Sequence, residues 1–199
     1  MFSELRKSLD EAITYGCFES AGKLAREGLK KSRKHGLLGE AEYFRGQIEI
    51  LNQNYDLAIM HFDRAIKYNP HDGAAFNDRA LCMVELGAID AALPFFDKGI
   101  KAEPDYATVY HNKGWLLNKI GRHKEAIECF NKALGLEPGR AVTYENLADA
   151  LEGLCDYQGA LAAYQKAIGL LKPDYSDIKE QIITRIKLLK DKISRISCE

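Results

Sequence analysis

The sequence predicts an all-α chain of stacked helix pairs, and three observations carry that reading. Pro70, Pro104 and Pro138 stand 34 residues apart, and Pro173 follows one residue late. Upstream of each proline the same small and aromatic residues recur in fixed columns. Each interval has room for two helical stretches of about 14 residues, each roughly 21 Å long at 1.5 Å per residue.

The columns explain why such helices should pair. Near the start of each repeat comes a small residue: Gly46, Ala80, Gly114 and Ala148. In the second helix stand Ala58, Ala92, Ala126 and Ala160, followed four residues later by Phe62, Phe96, Phe130 and Tyr164. Ala65, Gly99, Ala133 and Ala167 complete the set. Small residues let two axes approach to about 8–10 Å. The aromatic column lies on the same helix face and fills the space beside the crossing. Proline then ends the second helix, because it lacks the donor and disfavours helical geometry in the residue before it.

This pattern resembles the tetratricopeptide repeat, with Ala107 to Arg140 carrying the clearest match through Tyr110, Gly114, Leu117, Ala126, Phe130, Ala133 and Pro138. Residues 39–72, 73–106 and 141–175 follow with modest departures: Arg45, Arg79 and Lys113 replace the leucine usual before the small residue, and Leu147 keeps it. The resemblance implies one domain over 1–199, a right-handed α-α superhelix of about five repeats plus a C-terminal capping helix. Residues 2–38 read as a degenerate first repeat, with Tyr15-Gly16 as its turn, Phe18 opening the second helix, and Ala21, Ala25 and Gly28 as its small face. Its second helix runs on through Lys30 to Lys34 until Gly36 stops it.

The capping helix, 176–197, is expected to start on Ser176 or Asp177 and to bury a stripe of Ile178, Ile182, Ile186, Leu189, Ile193 and Ile196 on the last repeat. A coiled-coil homodimer through the same stripe is disfavoured by its length of about two heptads and by the like charges of Arg185, Lys190 and Lys192 beside the seam. Pro94 falls inside an expected second helix, which should therefore begin late or bend there.

Charge and chemistry narrow the function. Twenty-eight basic residues against 29 acidic ones provide no global field for DNA, RNA or an anionic membrane. Five scattered cysteines, Cys17, Cys82, Cys129, Cys155 and Cys198, fit neither a disulfide framework nor a zinc site and read as reduced thiols in a cytoplasmic protein. No run of 18 apolar residues marks a membrane span. His35, His61, His71, His111 and His123 lack metal-ligand spacing, and Gly-x-Ser-x-Gly and His-Glu-x-x-His are both missing. The segment from Gly16 to Lys23 has five residues between its glycines and Leu24 after the lysine, so it fails as a phosphate loop. The basic run from Lys30 to His35 reads as a solvated helix end. The expectation is neither an enzyme nor a cofactor or metal carrier.

The remaining function is recognition of another protein or peptide segment, as a scaffold or adaptor, with a homo-oligomer assembling through its ends or final helix as the alternative. In the family the first helices line a concave groove, and repeat positions 2, 5, 6, 9, 12 and 13 face it. Carried onto this chain, the groove would present Tyr43, Phe44 and Gln47, then Asn77, Asp78 and Leu81, then His111, Asn112 and Trp115, then Glu145, Asn146 and Asp149. Asn112 and Asn146 share a column, where their amides can donate to and accept from a peptide backbone. Trp115, the only tryptophan, either anchors a partner side chain or packs against a neighbouring repeat. The family's clamp for chaperone C-terminal carboxylates is not matched: Tyr43 and Gln47, or Asn77 and Leu81, stand where lysine and asparagine should, and Thr108 and Asn112, or Val142 and Asn146, replace the lysine and arginine.

Overall fold

The computed structural model describes residues 2–172 and 174–196, the side chain of Ile196 excepted. Pro173, Cys198 and the Ile196 side chain named above therefore lie outside the described residues. Eleven α-helices make up the regular structure of the described residues, and no strand occurs among them. They are α1 (Phe2–Thr14), α2 (Phe18–Lys34), α3 (Leu38–Leu51), α4 (Tyr55–Tyr68), α5 (Gly73–Glu85), α6 (Ile89–Ala102), α7 (Ala107–Lys119), α8 (His123–Leu136), α9 (Ala141–Gly153), α10 (Tyr157–Leu170) and α11 (Ser176–Ile196). The chain divides into two compact bodies, Met1–Pro104 and Asp105–Glu199.

In the first body each helix packs on the next, from α1 through α6. The second body repeats this from α7 through α11, and α7 also touches α9 directly. Within each body a second helix thus packs on the first helix of its own pair and, for α2, α4 and α8, on that of the following pair.

The columns account for this packing. Phe62, Phe96, Phe130 and Tyr164 are all fully buried, as are Ala58, Ala92, Ala126 and Ala160. A Cβ placed on Gly46 would stand 2.6 Å from the ring of Phe62, and one on Gly114 would stand 2.8 Å from Phe130. At these two crossings glycine gives the ring its clearance, a place that Ala80 and Ala148 fill in the other repeats. Proline acts from outside the helix: α4, α6 and α8 end at Tyr68, Ala102 and Leu136, each two residues short of its proline. The turn within a pair needs a left-handed residue after the first helix, supplied by Gly16, Gly87 and Gly121, and by Gln53 and Cys155 at φ 61°. Among the second helices, α2 is three residues longer than the 14 of its counterparts, and Gly36 at φ 67° follows it.

The late start expected of α6 and the cap expected of α11 need correcting. α6 is not delayed by Pro94: it starts at Ile89, in step with α4, α8 and α10, and carries the proline as its sixth residue. Pro94 lies on the exposed side, where water can reach the Asp90 carbonyl that lost its donor, and the buried Ala92, Phe96 and Gly99 hold the helix in register. In α11 the carbonyl at the start belongs to Tyr175, which accepts from the Lys179 amide at 3.0 Å, so the capping residue is Tyr175 and not Ser176 or Asp177. The helix packs on α10 with Ile182 and Leu189 buried and Ile178, Ile186 and Ile193 half-buried.

Candidate partner-binding face

The first helices of the two bodies carry the twelve groove residues, and the structure treats the two sets differently. In the first body, Tyr43, Gln47, Asn77 and Asp78 are buried at 4, 3, 1 and 9% exposure, and only Leu81 is half-exposed. Phe44 does not belong to the face at all. It is fully buried, and its ring fills the space left by the missing Cβ of Gly28 on α2. At this repeat the side chain points back at α2, the preceding second helix. That makes it the interlock between repeats.

The buried polar groups of this body satisfy one another. Asp78 accepts from the Gln47 amide and, at 2.8 Å, from Asn77 Nδ2. Burial pushes the Asp78 carboxyl up to about 7, against the hydrogen bonds from Asn77 and Tyr43 that pull it down. Arg6 reaches in from α1. Its guanidinium makes a two-pronged contact with Asp72 at 2.8 and 2.9 Å, donates to Glu40 at 3.1 Å, and lies 3.6 Å from the centre of the Tyr43 ring. Asp72 at the same time caps α5 by accepting from the Ala75 amide at 3.0 Å.

The second body leaves more of its face open. Asn112, Trp115, Glu145, Asn146 and Asp149 are half-buried, and only His111 is buried, at 6% exposure. His111 Nδ1 lies 2.9 Å from Thr143 Oγ1 and Nε2 lies 3.4 Å from the Asn146 amide nitrogen, contacts met by a neutral ring that donates to Thr143 and accepts from Asn146. Burial first, and the charge of Arg140 second, push this imidazole down to about 3. It stays neutral and tethers α7 to α9. Trp115 has Lys119 Nζ 5.0 Å from its ring centre.

Asp149 is committed within the chain: it accepts from the Tyr164 hydroxyl and, at 2.6 Å, from Arg185 of α11. Lys192 adds a 3.7 Å pair to Glu152. Glu145 has no ion pair or hydrogen bond among the described residues, and burial and Asp149 raise its carboxyl.

Sequence reasoning missed Arg6, Asp72 and Arg185. A signal for Arg6 existed. Aligning the turn residues Gly16 and Gln53, 37 positions apart, puts Arg6 in the column of Tyr43, Asn77, His111 and Glu145. No sequence pattern marks Asp72 as its partner, 66 residues away.

Among the described residues no group of three or more His, Cys, Asp or Glu could hold a metal ion. No helix of the described residues is long and apolar enough to cross a membrane.

Helix pairs at a 34-residue interval, joined by small and aromatic columns and presenting one face of each first helix, define an all-α repeat protein of the solenoid class. Models of the tetratricopeptide repeat match residues 49–113 and 107–140. The chain is a tetratricopeptide-repeat protein. It is 25% identical over 91 residues to the E3 ubiquitin-protein ligase TTC3 of Rattus norvegicus, covering 43% of this chain and 4% of that protein. It is 38% identical over 52 residues to the Hsp70-Hsp90 organizing protein 3 of Arabidopsis thaliana, covering 26% of this chain and 9% of the relative. The matching segments span less than a tenth of either relative.

Among solved structures, MamA superposes with a TM-score of 0.59 at 20% identity, over 84% of this chain and 90% of that one. YrrB, described as a TPR protein with an unusual peptide-binding site, gives 0.58 at 20% identity over 84% of each chain. These likenesses concern the fold.

Proposed function

We propose that this protein is a protein–protein interaction scaffold that holds a partner's polypeptide segment against the first-helix face of its second body. The observation that carries the reading is the half-buried set Asn112, Trp115 and Asn146, on adjacent first helices of one body. Two amides in one column can serve a peptide's backbone donors and acceptors, and a half-exposed indole offers apolar area at low entropic cost. Family membership supports the reading, as does the peptide-binding site ascribed to YrrB. The Hsp70-Hsp90 organizing protein does not extend to a chaperone-tail clamp here, because Tyr43 and Gln47, at two of the clamp positions, are buried and uncharged.

The test is affinity purification of the tagged native chain and of Trp115→Ala and Asn112→Ala variants, with partners identified by mass spectrometry. A partner recovered with the native chain should bind Trp115→Ala at least about tenfold more weakly, a loss of about 1.4 kcal/mol or more. Met60→Ala, on the exposed side of α4, serves as the control and should leave binding unchanged. Equal binding by all the variants would remove the site from this face.

A further inference from the structure

The first-helix face of the first body is built around a guanidinium. Arg6 meets Asp72 with both terminal nitrogens, Glu40 with Nε, and the Tyr43 ring with its flat face. That combination of a carboxylate fork, a second carboxylate and an aromatic face suits arginine and excludes lysine, whose ammonium can neither fork nor stack. Two carboxyls, Asp72 and Glu40, meet this one cation, so the face would keep negative charge were Arg6 drawn out of it. It is also reachable. Arg6 keeps 17% and Glu40 26% of its side chain exposed, whereas Asp72 beneath them keeps 4%.

Arg6 is moreover what closes the face. It bridges α1 to Glu40 on α3 and to the cap of α5, over Tyr43, and so covers the column that a partner would have to read. We propose that this face is an arginine socket which Arg6 occupies in cis, and that the partner it takes is a polypeptide segment presenting an arginine, which enters by displacing Arg6. The socket is separate from the Trp115 face and stands or falls without it.

The test uses the full chain and two short capped peptides, Ala-Ala-Arg-Ala-Ala and its lysine counterpart, with binding read by calorimetry. The Arg6→Ala variant should bind the arginine peptide at least tenfold more tightly than the native chain does, and the lysine peptide at least tenfold more weakly than the arginine one. Adding Asp72→Asn, which keeps a capping residue on α5 while removing the charge, should abolish the gain. Trp115→Ala should leave it untouched.

Equal binding by the native chain and a folded Arg6→Ala variant, or no discrimination between the two peptides, would overturn the proposal. Should Arg6→Ala fail to fold, Arg6→Lys retains the charge and loses the fork. It should then bind the arginine peptide above the native level, and binding at the native level would count against the socket.

Discussion

At pH 5 the His111→Asn variant will stand about 2 kcal/mol better against the native chain than it does at pH 7.5. The folded imidazole resists protonation down to about 3, whereas the unfolded chain takes up that proton near the ordinary value of 6.5. Between those limits the unfolded state binds more protons. The stability that depends on a neutral His111 is therefore complete above 6.5 and falls as pH drops, by about 1.4 kcal/mol per unit.

Asp78 acts in the opposite direction. Its folded carboxyl is held up to about 7 against an ordinary 3.8, so its contribution strengthens as pH falls through that window. The native pH profile mixes the two groups. The difference between variant and native isolates His111. At pH 7.5 the variant should lose about 1–2 kcal/mol, from lost packing beside Phe130 and a weakened link to Asn146. Urea unfolding followed through Trp115, the only tryptophan and a member of the second body, measures both values. A difference that does not change between the two pH values would mean that His111 is not held neutral.

Phe130→Ala should cost about 3–5 kcal/mol, the largest loss expected from one substitution in the second body. Its ring is fully buried, lies against the missing Cβ of Gly114, and sits 5.9 Å from the His111 ring. Removing it leaves a cavity at the crossing of α7 and α8. Gly114→Ala attacks the same contact from the other side. The added methyl would stand 2.8 Å from the ring and 3.1 Å from the Ala126 carbonyl, an overpacking cost of about 1–3 kcal/mol. Because the two residues share one contact, Gly114→Ala should cost less in a Phe130→Leu background than alone. Additive losses in the urea midpoints would show that the two columns do not interlock.

What the sequence made legible follows from how each contact repeats. A small residue facing an aromatic one recurs every 34 residues, as Gly46 with Phe62 and, two repeats on, Gly114 with Phe130, so position alone announces it. Helix ends beside Pro70, Pro104 and Pro138 are legible for the same reason. Pro94 breaks a local rule, and the buried column around it overrides the local cost.

The face was harder to read because a helical wheel describes one helix, whereas exposure depends on neighbours far along the chain. Phe44 looked outward on its own wheel and is buried by Gly28 of the preceding repeat. Tyr43 lies beneath Arg6, whose anchor Asp72 is 66 residues from it in sequence. Asp149 is engaged by Arg185, which belongs to a helix outside the repeat pattern.

The central claim is that the open face of α7 and α9 receives a foreign segment. A photo-reactive phenylalanine analogue placed at position 115, with a second at position 60 as reference, reports directly on what touches each surface in the native cell. The account predicts an adduct with another protein from position 115, reduced by Asn112→Ala and missing from position 60. Adducts from position 60 alone, or from position 115 only with a second copy of this chain, would contradict it.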